Sequence, residues 1–269
     1  MASNGTKRLL GFGRAPALPG IARSTASDGR MRLRLAFFGS ALLLAAQALW
    51  MTLPELFLPQ RLHTFSDPAG TEVLTRQRAA AERAARLAGV RGELWAELAL
   101  TYTGLVWDPE RKVIIQSTPL QDLERARALA ETALRRSPHD SRVWLLCAAL
   151  ALRIEELTGH RSDRPAAGLK MSYFTGQYEL GLAPLRLALA VRPSMLSDEE
   201  LRHLVRAELS AIVTSEPELK PAIVAAYREA TPTAKSLIED VVAGQDPELL
   251  KSVQSSAGVQ GAPITGPPR

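Results

Sequence analysis

From Val73 onward, apolar side chains recur every three to four positions in Ala/Leu-rich stretches with few β-formers. That is the period of helices with one buried face. The pattern predicts helices at 73–88, 92–105, 121–136, 141–157, 178–191, 198–214, 219–230, 233–243 and 247–253. Start signals reinforce several of these. Ser141 follows Pro138-His139-Asp140, Ser197 has Glu200 three residues on, and Asp246 precedes Pro247 at a first helical position. Strand character is confined to Lys112–Gln116, a stretch too isolated to build a sheet. The expected fold class is all-α.

A different pattern precedes this region. Leu35 to Pro54 runs twenty residues without a charge, and a helix of that length reaches roughly 30 Å, the thickness of a bilayer's hydrocarbon core. Only a helix satisfies its own backbone there. Arg30, Arg32 and Arg34 directly precede the run. Five Lys or Arg lie between Arg14 and Arg34, whereas Arg61 stands alone on the other side as far as Leu74. The asymmetry predicts a cytoplasmic N-terminus and a chain that crosses once, with its bulk outside. Two rivals remain open. Met31 as an internal start, with Ala46-Gln47-Ala48 as a cleavage site, would make the run a signal peptide; the apolar stretch continues past that site through Leu53. A buried helix of a soluble protein would leave the basic flank unexplained.

The formal charge of +5 suggests nucleic acid until it is located. Of 33 Lys and Arg and 28 Asp and Glu, seven basic residues and one acid lie in residues 1–34, leaving 26 against 27 beyond, a net of −1. The basicity therefore belongs to a short tail, expected to be disordered and suited to anionic headgroups rather than a DNA groove. Cys147 is the single cysteine, inside the apolar WLLCAALAL, so a disulfide within the chain and a thiolate metal site are both excluded. His63, His139, His160 and His203 are far apart and form no metal-binding spacing. No nucleophile elbow or phosphate-cradling glycine loop is present. Glu155-Glu156 and Glu199-Glu200 are adjacent pairs, which diverge by about 100° around a helix and read as solvated faces. No catalytic residue, cofactor or metal is expected.

A repeat is visible within the helices. Trp95-x2-Leu98-Ala99-x2-Tyr102 and Ala126-x3-Ala130-x2-Ala133-x4-Pro138 resemble the two helices of a tetratricopeptide repeat. Trp144, six residues after Pro138 and followed by Cys147 and Ala148, opens a second copy, with Gly181-x3-Leu185-x2-Ala188-x4-Pro193 as its second helix. The period departs from 34 residues: Trp95 to Trp144 spans 49 and Pro138 to Pro193 spans 55. The excess falls at 107–119 and at about 159–171. The pattern fails after Pro193, where Glu199, Arg202 and His203 replace the expected Trp, Leu and Gly. The resemblance covers 73–193 and implies a helical-hairpin solenoid; an irregular bundle without true repeats is the alternative. In the repeat phase Trp144 packs inside its pair and Leu145 faces the groove. The Trp-bearing helices would then line a concave face offering Glu93, Thr103, Arg142 and Arg153.

One segment stands apart chemically. Ser172-Tyr173-Phe174-Thr175-Gly176-Gln177-Tyr178-Glu179 holds three aromatics in six residues, ahead of a helix carrying Arg186 and Arg192. Aromatic rings with hydroxyls beside charges suit a sugar or a partner peptide. The other reading is a hydrophobic staple, with Tyr173 and Phe174 plugging a helix pair while Thr175 or Gly176 begins the next helix. A split is expected, with Phe174 buried and Tyr178 exposed beside Arg186 or Glu179. The run Tyr-Phe-Thr-Gly-x-x-Glu leading into Pro184–Ala188 resembles small membrane-anchored helical proteins of bacterial exopolysaccharide loci, which implies a role in polysaccharide assembly.

The expected organisation is a disordered basic tail at 1–30, a transmembrane anchor at 31–55, a linker at 56–72, a tetratricopeptide-like helical domain at 73–253 and a disordered tail at 254–269. The expected function is a non-catalytic scaffold of the bacterial inner membrane, its main domain periplasmic, binding another envelope protein and contacting glycan. Its candidate partner-binding residues are Tyr173, Phe174, Tyr178, Glu179, Arg186, Arg142, Arg153 and Glu93. The alternative of another class is an envelope enzyme acting on glycans with Glu155, Glu156 or Glu179 as acid.

Overall fold

The computed structural model describes residues 25–57, 71–103, 105–107, 113–115 and 118–258. The chain divides into two compact units, Met1–Trp50 and Met51–Arg269. The first is represented mainly by helix α1, Thr25–Phe57. Within it Met31–Leu53 has a mean hydropathy of 1.6 with none of its span buried, and is the one described helix long and apolar enough to cross a membrane. Leu35, Phe37, Phe38, Leu42, Leu43 and Leu44 all face outward. Helix begins at Thr25, so residues 25–30, expected in a disordered tail, are helical; residues 1–24 lie outside the description.

Among the described residues, the regular structure of the second unit is helical apart from one ribbon. Its helices are α2 (Thr71–Leu87), α3 (Gly92–Thr103), α4 (Leu120–Arg136), α5 (Ser141–Thr158), α6 (Arg164–Thr175), α7 (Ala183–Ala190), α8 (Glu199–Ser215), α9 (Lys220–Glu229), α10 (Pro232–Ala243) and α11 (Pro247–Gly258). The expected C-terminal tail thus begins later than residue 254, and 259–269 lie outside the description. Between α3 and α4 strands β1 (Leu105–Trp107) and β2 (Val113–Ile115) pair antiparallel, Leu105 opposite Ile115 and Trp107 opposite Val113. Val113–Ile115, within the stretch expected to stay isolated, does therefore pair. Its partner was hidden because Leu105 continues the apolar beat of α3.

Packing follows two regimes. From α2 to α6 each helix packs mainly on a sequence neighbour, with α3 on α4, joined through the ribbon, and α5 on α6 the most extensive pairs. From α6 onward the strongest partners lie two helices apart: α6 on α8, α7 on α9, α8 on α10 and α9 on α11. Two lysines reinforce that second regime. Lys170 of α6 binds Asp198 at 2.8 Å and Lys220 of α9 binds Asp246 at 2.8 Å. Both aspartates are N-caps, accepting from Leu201 N and Leu249 N at 3.0 Å. The lysine hydrogen bond, ahead of the cap bond, holds each carboxyl below its ordinary value. Asp198, not Ser197, caps α8.

Helix α6 is the main departure from expectation. Residues 159–171 were read as excess between paired helices, yet α6 begins at Arg164 and is the helix that covers α5. The proposed second helix of the repeat, Gly181–Pro193, instead splits into a 3-10 turn at Leu180–Leu182 and the short α7. The close approach is made by Gly168: a Cβ there would sit 3.1 Å from Ala148 N and 3.2 Å from its Cα. A small residue marks the contact in α6 as Ala126, Ala130 and Ala133, all fully buried, mark it in α4.

The tryptophans are nevertheless equivalent. Trp95 Nε1 donates to Gly89 O at 3.0 Å and Trp144 Nε1 to Pro138 O at 2.8 Å, each six residues back across the turn that precedes its helix. That bond requires the indole edge near the surface, so both rings are half-buried. The adjacent leucines take the interior: Leu94 and Leu145 are each 1% exposed. This reverses the expected phase of Trp144 and Leu145.

Two substitutions check this packing by urea denaturation of the detergent-solubilised chain. Leu145→Ala is expected to cost about 3–5 kcal/mol and Trp144→Ala distinctly less, because only the leucine leaves a closed cavity. Gly168→Ala is expected to cost about 1–3 kcal/mol by forcing α5 and α6 apart.

Candidate functional site

The aromatic segment forms the end of α6 and the turn after it. The helix stops at Gly176, whose N–H donates to Ser172 O at 3.1 Å. A Cβ on Gly176 would lie 2.4 Å from Ser141 Cβ and 3.1 Å from an Arg186 nitrogen, so only glycine fits between α5 and α7. Glu179 N then donates to Gly176 O at 3.0 Å, and Ser141 Oγ donates to Glu179 Oε2 at 2.8 Å. The turn is tied down at both ends.

Arg186 fills the space beneath it and is 1% exposed. Its Nη2 donates to Ser172 O at 2.7 Å and Gly176 O at 2.9 Å, and its Nε to Ser172 Oγ at 3.1 Å. These carbonyls already accept from Gly176 N and Glu179 N, and Arg186 takes up their second lone pairs at the C-terminus of α6, where a cation is favoured. The guanidinium lies 4.8 Å from the Tyr173 ring centre. Glu208 of α8 completes the cluster, with Oε1 3.5 Å from Arg186 Nη1 and Oε2 accepting from Tyr173 Oη at 2.7 Å. Burial pushes the Glu208 carboxyl up to about 7, against the opposing pull of the Tyr173 hydrogen bond and the Arg186 charge. Burial, and then Glu208, drive the Tyr173 hydroxyl well above its ordinary value.

The expected split within the aromatics occurs, but along another line. Tyr173 is the buried ring at 5% exposure, while Phe174, expected inside, is 54% exposed and Tyr178 is 88% exposed. Successive helical residues diverge by about 100°, and the face of α6 that carries Ser172 and Tyr173 is the one turned to Arg186. Thr175 ends a helix rather than beginning one. Arg186 and Tyr173 are therefore supports with no surface to offer a partner, whereas Phe174, Tyr178 and Glu179 are exposed.

The other candidates are dispersed. Glu93 pairs with Arg91 at 2.6 Å, Arg142 with Asp140 at 3.4 Å, and Arg153 with Glu156 at 2.9 Å. Thr103, placed on the concave face by the repeat pattern, is fully buried. Glu155 accepts from Ser162 N at 2.8 Å and Oγ at 2.6 Å, which closes the loop after α5. Among the described residues no group of His, Cys, Asp and Glu is arranged to hold a metal. Burial pushes the Cys147 thiol up to about 12, so it is not a thiolate near neutral pH. His63 lies outside the described residues.

From the sequence, Ser141 was singled out only as a helix start and Ser172 only as part of the aromatic segment, and Glu208 not at all. Glu208 did carry a signal: Leu201, Val205, Glu208 and Ile212 share one face of α8, and the other three are buried. A carboxylate at a core position of an apolar stripe demands a partner. Arg186, between Leu185 and Leu187, makes the same demand.

No family model, curated protein or solved structure matches this chain.

The Glu208 carboxyl binds its proton more tightly in the folded chain than at its ordinary value of 4.5. Between that value and about 7 the folded state carries more protons than the unfolded one, so this group's contribution to stability falls as pH rises and levels off above about 7. Glu208→Gln keeps an acceptor for Tyr173 and should flatten that part of the profile. Denaturation midpoints from pH 4.5 to 8 for both proteins measure it; parallel profiles would count against the assignment. Gly176→Ala is expected to destabilise by about 1–3 kcal/mol through overpacking against Ser141.

Proposed function

We propose that this chain is a non-catalytic scaffold of the bacterial inner membrane, anchored once by α1, that captures another envelope protein through the aromatic turn after α6. The observation that carries the reading is the contrast within that turn. Phe174 and Tyr178 stand in solvent on a backbone that a buried arginine, a buried glutamate and an interhelical serine bond hold rigid. Exposed aromatics on a preorganised turn lose little freedom on binding and supply the contact type that dominates interface energies.

The membrane part of the reading rests on length, apolarity and flanking charge. Helix α1 runs unbroken through Ala46-Gln47-Ala48 to Phe57, which supports an anchor over a cleaved leader. Arg30, Arg32 and Arg34 support a cytoplasmic N-terminus and a periplasmic main domain. The matching six-residue tryptophan bonds support a tetratricopeptide-like relation between α3–α4 and α5–α6. The role in surface-polysaccharide assembly rests on the Tyr173–Ala188 resemblance alone.

Two measurements test the proposal. A periplasm-dependent reporter fused after Leu58 should be active, and replacing the three arginines by Glu should reduce or invert insertion; a mature N-terminus at Leu49 would sink the anchor. For the site, crosslinking in intact membranes should capture a discrete partner with the native chain. Phe174→Ala or Tyr178→Ala should abolish capture with stability unchanged within about 0.5 kcal/mol, as expected of exposed side chains. Capture that survives both substitutions would remove the turn from the interface.

A further inference from the structure

A second site is suggested by the arginines of α2 and α4. Three arginines of this region are matched by local carboxylates: Arg86 by Glu82 at 2.6 Å, Arg91 by Glu93 at 2.6 Å and Arg127 by Glu131 at 3.7 Å. Arg78 and Arg125 are not, and both converge on one ring. The Arg78 Cζ lies 3.8 Å and the Arg125 Cζ 5.4 Å from the centre of Tyr102. Among the described residues, no carboxylate is within ion-pair distance of either guanidinium. The Tyr102 hydroxyl likewise has no hydrogen-bond partner among them. Arg78 Nη2 donates to Thr101 O at 2.9 Å, which fixes one cation against the ring. Its Nε is buried without a partner.

Three donor groups therefore surround one side chain with a single backbone carbonyl as acceptor. Each guanidinium gains something from the ring face. Their mutual repulsion acts over a separation comparable with the roughly 8 Å Debye length at physiological salt, so it is only partly screened. Tyr102 is nearly buried, which keeps its ring fixed, while Arg125 is exposed and leaves the site open to solvent. Two like charges at one tyrosine, with no counter-ion among the described residues, suit an anion.

We propose that Arg78, Arg125 and the Tyr102 hydroxyl bind a phosphate monoester. Such a group carries about −1.5 to −2 charges and three acceptor oxygens, matching two cations and a phenol, where a carboxylate offers one charge and two oxygens. The ester is either a soluble phosphorylated metabolite or a phosphatidic-acid headgroup; both present the same group. The site belongs to the α2–α3–α4 face and does not depend on the aromatic turn.

Calorimetry on the full chain in neutral detergent tests it, at constant ionic strength, with inorganic phosphate, acetate and chloride as probes. Phosphate should bind saturably in the millimolar range, about tenfold tighter than acetate, as the extra charge-assisted bonds require. Arg125→Gln should weaken phosphate about tenfold with an unchanged melting temperature, because the side chain is exposed. Arg78→Gln should weaken phosphate at least as much, and Arg135→Gln, an exposed arginine bonded to Thr132, should change nothing. Glycerol phosphate and dioctanoyl phosphatidic acid then separate the sources. Equal binding indicates a soluble ester and tighter lipid binding a headgroup, and either result supports the site. Phosphate heats indistinguishable from chloride, or equal binding in Arg125→Gln and Arg135→Gln, would overturn it.

Discussion

The C-terminal half of this molecule depends on the burial of one charge. A guanidinium cannot be neutralised by deprotonation, so Arg186 is viable inside α7 only if its donors are met. They are met from two other helices: the end of α6 supplies Ser172 O, Ser172 Oγ and Gly176 O, and α8 supplies Glu208. Each acceptor also has a reason to be there. The α6 carbonyls lie at a helix C-terminus, each with a lone pair left over after its backbone bond, and Glu208 would otherwise be a lone carboxylate in an apolar stripe. The three demands cancel only in one arrangement. Removing one partner costs more than replacing the whole set by apolar side chains would, so the cluster enforces a particular geometry rather than contributing bulk stability.

A consequence follows for the surface. Because Arg186 fixes Ser172 O and Gly176 O, the turn from Thr175 to Glu179 has little freedom, and Phe174 and Tyr178 are presented on a defined backbone. Glu208 completes the support from α8, with a 3.5 Å ion contact to Arg186 and a carboxyl that burial pushes up to about 7.

How far the sequence revealed this differs from element to element. The long apolar helix and most helices of the second unit were legible because apolar runs, periodicity and caps are local signals; Asp246 before Pro247 and Ser141 after Asp140 mark observed helix starts. Helix α6 was not, since Arg164, Pro165 and Gly168 lower its apparent propensity, and Gly168 is there for contact with Ala148 rather than for helix formation. Trp144 was placed inside by analogy of size, whereas its N–H needs the Pro138 carbonyl at the rim. The aromatic segment was correctly located but wrongly oriented. Which of Tyr173 and Phe174 turns inward is decided by Glu208, thirty-five residues away, and no local pattern encodes that.

The position of the cluster carries a further meaning. It lies at the junction of the two packing regimes, where sequence-neighbour hairpins give way to partners two helices apart. A stack of hairpins can end cleanly only if its last helix is covered. Here α6 is covered by α8, bonded by Lys170 to the N-cap Asp198 and, one turn further along α6, by Tyr173 to Glu208 in the middle of α8. These bonds close the repeat-like half and start the interleaved half at the same point. The aromatic turn is therefore not an ornament on a loop. It is the place where the chain must change direction between two modes of packing. A rigid, irregular backbone has to exist there for reasons of fold alone, and that leaves its outward side chains, Phe174 and Tyr178, available for recognition.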